Sequence, residues 1–322
     1  MRLISESFRL DKMINTLGLT KYYDTKPAVR DVDVFVPMGE ICGLIGPNGA
    51  GKTTLLKMLA GLLRPTSGRI EIGGIEVGAE PKQLHELVGY VPDTFGLYDE
   101  LPVRHFMEYF AKAHRVPKEQ TERRIAGVLE LTNLGSKYDE PVGALSRGMR
   151  QRLVIAKTLL HAPKVLLLDE PAAGLDPVAR IDLCELIKEL GALGTTLIIS
   201  SHILTELADF CTSVVIMEQG HVIRSGRIEE LVENLSDGLP VRIEMTDAEA
   251  AARLAEHLRG IECLRDITIN ASVIDCAFRG DRSALATLHR EIVLQHDGVV
   301  SFYERRLTIE DVFMAVGSHA VS

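Results

Sequence analysis

The sequence predicts an α/β core built around a parallel sheet, followed by a smaller α+β domain. Three observations predict it. First, the glycine-rich stretch Gly46-Pro47-Asn48-Gly49-Ala50-Gly51-Lys52-Thr53-Thr54 lies between the apolar run Ile41–Ile45 and the segment Leu55-Leu56-Lys57-Met58-Leu59, which reads as strand, loop, helix. Second, Val165–Leu168 and Leu197–Ile199 are apolar at every position, as strands covered on both faces of a parallel sheet are. Third, beyond residue 236 the pattern becomes β-α-β-β-α-β, the split βαβ order.

Bulk properties narrow the possible partners. A chain of 322 residues makes one large or two ordinary domains. A net charge of −9 argues against broad nucleic-acid binding. Cys42, Cys184, Cys211, Cys263 and Cys276 are scattered and form no C-x-x-C pair, so reduced thiols are expected rather than a disulfide frame or a zinc site. No apolar run approaches the ~20 residues that span a bilayer, and the N-terminus lacks the long apolar core of a secretory signal. A role at a membrane therefore calls for another chain to supply the membrane part.

In chain order, residues 1–12 read as a weakly specified leader, with Met13 as an alternative start. Ile14–Thr20 and Val32–Val36 have strand character and are expected in a small antiparallel β-layer. Between them, Lys21-Tyr22-Tyr23-Asp24 leaves two readings open: a tyrosine that stacks on a purine, or two half-buried strand aromatics. Gly61–Gly78 alternates apolar residues around Arg69-Ile70-Glu71-Ile72, which predicts short strands and tight turns. Val88–Val91 is a strand ended by Pro92, and Asp93–Tyr98 comes next as a loop. Val103–His114 and Lys118–Leu131 read as helices, and Leu145–Arg152 opens a further helix that runs through Leu160. Residues of about 100–160 thus form a helical subdomain inserted in the core. Ser146 stands at an N-cap position, which on this segment alone an ordinary capped helix explains.

Val165–Leu168 ends in Asp169-Glu170-Pro171. The turn Gly174-Leu175-Asp176-Pro177 precedes a helix over Val178–Leu190, and Thr195–Ser200 is a third apolar strand that ends at Ser201-His202. Val214–Met217 and His221–Arg224 form a hairpin, and Arg227–Leu235 a short helix. The turn-rich Ser236–Pro240 divides a first domain, residues 13–235, from a second, residues 236–322. In the second, strands over Val241–Met245, Ile267–Asn270, Val273–Phe278 and Val299–Glu304 interleave with helices over Ala248–Leu258 and Arg282–Gln295. Thr246 to Glu249 has capping-box spacing, and Thr308-Ile309-Glu310-Asp311 caps a last short helix. No catalytic constellation is visible there, so a packing or regulatory role is expected.

The chemistry-bearing residues lie in the first domain. The glycine-rich stretch meets the phosphate-loop pattern G-x-x-x-x-G-K-[ST] in full and in the right context, so the core is expected to have the P-loop NTPase fold. Its glycines let successive N–H groups face one anion, and the helix after it adds the positive end of its dipole. Lys52 reaches the β- and γ-phosphates, and the Thr53 hydroxyl suits Mg²⁺. Asp169 and Glu170 end a strand where open α/β sheets bind ligands. Asp169 suits Mg²⁺, a hard cation, and Glu170 suits polarisation of an attacking water, in preference to two acids merely solvating a strand end. His202 stands where it can touch a γ-phosphate, although a lone histidine is usually structural.

With the phosphate loop, Ser146–Arg152, Asp169-Glu170, Asp176 and His202 in this order, the chain resembles the ATP-binding subunits of ABC transporters over about residues 13–235. Gly89–Phe110 and the tail Leu307–Phe313 look closest to exporter-type, ABC-2-like systems. The resemblance implies an ATPase that hydrolyses ATP with Mg²⁺ and drives a separate multi-span membrane permease. It implies a cytoplasmic subunit, peripheral on the inner face of the membrane. Gly46 to Thr54 become the Walker A loop, Tyr23 the adenine-stacking tyrosine, Asp169 a Mg²⁺ ligand, Glu170 the general base and His202 the switch histidine. Ser146 and Gly148 become signature-motif residues that contact ATP bound by a second subunit, a homodimer mate or a paired ATPase, with Asp176 at the same interface. Two motifs depart from the family pattern, the signature reading Leu145-Ser146-Arg147-Gly148-Met149 where Leu-Ser-Gly-Gly-Gln is usual. Asp93 replaces the usual glutamine, still offering an oxygen to Mg²⁺ or water. Arg147 replaces the first signature glycine and either points outward or adds a cation near the ATP. The alternative from another class is a soluble ABC-type ATPase acting on ribosomes or DNA. One ATPase half, no sustained heptads and an acidic balance make it the lesser reading.

Overall fold

A computed structural model describes residues 12–203, 207, 210–233, 238–305, 308, 311 and 312. Of the expected leader over 1–12, residues 1–11 lie outside the described residues and Lys12 instead opens the first strand, and most of the tail from 306 onward also lies outside them. The chain divides into two compact units, Met1–Arg227 and Ile228–Ser322.

The first unit opens with β1 (Lys12–Tyr23), β2 (Lys26–Val32) and β3 (Phe35–Pro37). β1 is longer than its apolar pattern predicts. Tyr22 and Tyr23 continue the strand by pairing with Pro27 and Lys26, and the chain reverses at Asp24, whose φ of 52° an aspartate tolerates. The expected strand over Val32–Val36 is instead split between β2 and β3. β4 (Ile41–Ile45) is buried at every position and leads into the loop and α1 (Lys52–Leu59). β5 (Ser67–Ile72) and β6 (Ile75–Glu76) complete an antiparallel sheet in the order β2-β1-β5-β6, with β3 also on β1.

Next come α2 (Pro81–Leu87) and β7 (Val88–Val91). α2 is an element the sequence reading missed. Only Leu84 of it is buried, so no apolar face announces it, although Pro81 at its first turn is a helix-start signal. The inserted subdomain consists of α3 (Val103–Ala113), α4 (Lys118–Leu131) and α5 (Arg147–Leu159). They share a core of Phe106, Met107, Ile125, Leu129 and Leu153.

β8 (Val165–Leu168), α6 (Pro177–Ala192), β9 (Thr196–Ser201), β10 (Ser213–Glu218) and β11 (His221–Arg227) close the unit. The central sheet runs β11-β10-β4-β9-β8-β7, parallel except for the β10–β11 hairpin. β8 and β9 are buried along their whole length, as the apolar runs Val165–Leu168 and Leu197–Ile199 require. This order sets β4, β8 and β9 side by side with their carboxyl ends together, so the residues just beyond those three strands meet at one edge.

The second unit holds α7 (Ile228–Glu233), β12 (Leu239–Met245), α8 (Ala248–Leu258), β13 (Leu264–Asn270), β14 (Val273–Phe278), α9 (Arg282–Gln295) and β15 (Val299–Glu304). Its four strands pair antiparallel in the order β13-β14-β12-β15. Its core gathers Ile243, Ile274 and Phe278 from the strands with Leu254, Leu258 and Leu288 from the helices. The cap of α8 is Asp247, which accepts from the Ala250 amide at 2.8 Å, and not Thr246, whose hydroxyl turns to Asp247. At the tail, the Thr308 amide donates to Asp311 at 2.7 Å. Ile309 and Glu310 of the expected final cap lie outside the described residues.

Candidate functional site

The loop after β4 cannot be built from larger residues. A Cβ on Gly46 would overlap the Met217 carbonyl, and one on Gly51 would overlap that of Ala28. Gly49 and Gly51 take φ of 83° and 104°, which glycine adopts freely. Gly51 is the N-cap residue of α1 and has no side chain to fill the helix start, so the first amides of α1 stay available to an anion. Asn48 to Thr54 line a cleft of ≈ 540 Å³ together with Asp93, Arg147, Glu170 and His202.

Lys52 is almost fully buried. Its ammonium donates to the Gly46 carbonyl at 2.6 Å and pairs with Glu170 Oε1 at 3.2 Å. Thr53 Oγ1 donates to Asp169 Oδ1 at 3.1 Å. Asp169 is wholly buried, which an ionised group tolerates only when hydrogen-bonded. Besides Thr53 it accepts from Ser200 Oγ at 2.8 Å and from the Tyr90 hydroxyl at 3.3 Å. Burial, with the Asp169 charge beside it, pushes the Tyr90 phenol well above its ordinary pKa, so Tyr90 remains a donor.

Glu170 adopts φ of 47°, a left-handed conformation that costs a non-glycine residue energy and turns its side chain out of the strand direction. The Ser200 hydroxyl accepts its amide at 2.9 Å. His202 Nδ1 lies 2.8 Å from Glu170 Oε2. Glu170 thus stands between the cation of the phosphate loop and an imidazole, tied to β9 by its backbone.

The other expected residues lie elsewhere. Ser146 is the N-cap of α5, its hydroxyl accepting from the Met149 amide at 3.3 Å. Asp176 is the N-cap of α6 and accepts from Ala179 at 2.9 Å. Gly148 packs on Ala179, where a Cβ would stand 2.6 Å from that of Ala179, so the two helix starts are held together. None of the three lines the chain's own cleft. Tyr23 is half-exposed at the end of β1, with Lys21 Nζ 5.7 Å from its ring centre, and it does not line the cleft either. Asp93 does line it, and accepts from the Thr94 amide at 2.6 Å. Arg147 lines it as well. Of the two sequence-based alternatives for Arg147, the structure has the inward one.

The ABC transporter family pattern matches residues 29–173. Over 304 residues the chain is 33% identical to the Nod factor export ATP-binding protein I of Rhizobium meliloti, covering 94% of this chain and 87% of that protein. The chain belongs to the ABC transporter family. It is also 39% identical, over 228 residues, to the probable multidrug ABC transporter ATP-binding protein YbhF of Escherichia coli, but spans only 39% of that protein's length. Among solved structures, a dimeric ATP-binding cassette in a post-hydrolysis state bound to ADP and Pi superposes with a TM-score of 0.60 at 25% identity, covering 67% of this chain and 98% of that one. The P-loop NTPase core expected from sequence is therefore the fold observed.

Sequence reasoning missed Ser200 and Tyr90. The signal for Ser200 was weak: a hydroxyl in place of an apolar residue near the end of a buried strand. Nothing in the sequence distinguished Tyr90 from an ordinary strand aromatic.

Proposed function

We propose that the chain is the ATP-binding and ATP-hydrolysing subunit that drives a separate multi-span membrane permease in the direction of export. What carries this is the convergence of Lys52, Asp169, Glu170 and His202 at one edge of the parallel sheet, beside the glycine-rich loop and the start of α1. The loop amides and Lys52 hold the β- and γ-phosphates of ATP. Glu170 orients the attacking water and accepts its proton, while His202 and the Ser200 bridge hold the carboxylate in place.

The donor set fits Mg²⁺. Thr53 and Asp169 offer a hydroxyl and a carboxylate close together, with Asp93 in the same cleft. Among the described residues no cluster of His, Cys, Asp and Glu forms an all-protein cage. Mg²⁺ characteristically takes one or two protein oxygens and completes its shell with phosphate and water. When bound it neutralises charge on the β- and γ-phosphates.

Ser146, Gly148 and Asp176 lie outside the chain's own cleft, at two helix starts packed together. In our reading they close the cleft of a second copy or a paired ATPase subunit, so ATP is sandwiched between two subunits. The solved dimeric cassette supports this arrangement. Tyr23 stacks on the adenine. Among the described residues no helix is long and apolar enough to cross a membrane, consistent with a subunit lying peripherally on the cytoplasmic face beside its permease. Export rests on relatives named for Nod factor export and linearmycin resistance. The second unit is an accessory domain with a packing or regulatory role.

Glu170→Gln tests the assignment. The variant is expected to bind ATP, lose nearly all turnover and accumulate an ATP-bound dimer in sedimentation. Unchanged steady-state hydrolysis would remove Glu170 from the reaction. Co-purification of ribosomes or DNA instead of a multi-span membrane chain would overturn the transport role.

A further inference from the structure

We infer that Arg147 binds the terminal phosphate of ATP held by its own subunit, so that the signature segment serves two nucleotides at once. This rests on the ATPase function proposed above and assigns a further phosphate-binding residue to it.

Three observations carry it. Arg147 is exposed, yet its side chain turns back over its own chain: Nη2 donates to the Ala173 carbonyl at 2.9 Å. The guanidinium lies flat against Gly174, where a Cβ would stand 2.6 Å from Cζ, so a larger residue there would displace it. Arg147 and Ala173 both line the cleft that holds Asn48 to Thr54, Glu170 and His202. Its direction is thus imposed by the backbone just beyond Glu170.

The charge of Arg147 is also unspent. Among the described residues, Arg104, Arg150, Arg152 and Arg242 each pair with an aspartate. Among the same residues Arg147 has a carbonyl partner and no carboxylate within salt-bridge distance. One of its N–H groups serves Ala173 and the planar fork keeps the rest. A fixed, unneutralised guanidinium at the wall of a phosphate cradle is suited to an anion that carries charge on several oxygens. Lys52 is already tied to the phosphate loop through the Gly46 carbonyl, so a second cation held beside Ala173, just beyond Glu170, is left to act on the outermost phosphate.

The neighbours of Arg147 behave differently. Ser146 spends its hydroxyl on the Met149 amide, and Gly148 is packed on Ala179, both away from this cleft. Adjacent residues on one helix turn thus face two ways. Arg147 works in its own subunit, and Ser146 and Gly148 remain for the other.

The test measures equilibrium binding of Mg-ATP and Mg-ADP by calorimetry. The full-length chain is used at a concentration where sedimentation shows single subunits. Arg147→Ala is expected to weaken ATP by about tenfold and ADP by less than about twofold. Arg147→Lys, which keeps the charge but not the fork, is expected to recover part of the loss. The melting temperature without nucleotide should be unchanged. Equal losses for ATP and ADP would overturn the inference and leave Arg147 as a prop for the Ala173–Gly174 backbone. Unaltered binding by single subunits, with loss appearing only on dimerisation, would overturn it in favour of a role across the interface. Failure of the wild-type chain to bind either nucleotide would refute the ATPase assignment itself.

Discussion

Removing the Ser200 hydroxyl should loosen both halves of the acidic pair at once. Ser200 is fully buried, donates to Asp169 Oδ1 at 2.8 Å and accepts the Glu170 amide at 2.9 Å. Ser200→Ala deletes a hydrogen bond to a charged group, worth about 1.5–3 kcal/mol, and orphans a backbone N–H, which costs about 1–3 kcal/mol. Thr53 and Tyr90 continue to donate to Asp169, which keeps the first loss near its lower bound. The net loss is then about 3 kcal/mol, and for a unit of this size each kcal/mol lowers the melting temperature by about 2–4 °C. Scanning calorimetry should therefore show the nucleotide-binding transition about 6–12 °C lower. The second unit keeps a separate core and should melt as before. Glu170 is held at a positive φ by this anchor, so turnover should fall by about tenfold or more, with less effect on KM for ATP. A shift below about 2 °C together with unchanged kcat would refute the claim that Ser200 supports Glu170 in the proposed hydrolysis.

Two other perturbations report on different parts of the first unit. Asp93→Ala, which removes a cleft-lining carboxylate, is expected to lower Mg²⁺-dependent hydrolysis more than ATP binding, and equal effects in parallel assays would sink its assignment. A groove of ≈ 730 Å³ contains His161 stacked on His114, and burial lowers the His161 pKa from 6.5 to about 4. Below pH 6.5 the unfolded chain binds a proton that the folded chain refuses, so stability is whole above that pH and declines as pH falls from about 6.5 towards about 4. His161→Phe should flatten that decline in acid-unfolding curves, and an unaltered slope would exclude His161 as its source.

Local chemistry made much of the first unit legible. The loop from Gly46 to Thr54 could be read because its function is performed by the backbone of one contiguous segment. The strand Val165–Leu168 and the centre of its neighbour, Leu197–Ile199, could be read because burial on both faces leaves an unbroken apolar run. The helix Pro81–Leu87 escaped because a helix that buries only Leu84 has no periodic face to detect. For Tyr22 and Tyr23 the sequence left a strand reading and a base-stacking reading open, and pairing with β2, not apolar alternation, places both in the strand.

By itself, then, the sequence determined that this chain carries a phosphate-loop pattern on a parallel sheet, and which acids and histidine stand at its strand ends. Tertiary structure alone decided that Ser200 and Tyr90 hold Asp169, that His202 and Lys52 flank Glu170, and that Arg147 turns into the cleft rather than away from it. The physical reason is the reach of the interactions. An apolar period or a phosphate loop is written in consecutive residues. The bond between Thr53 and Asp169 joins positions 116 apart, and it exists only because the order β4-β9-β8-β7 brings those strand ends to one edge of the sheet.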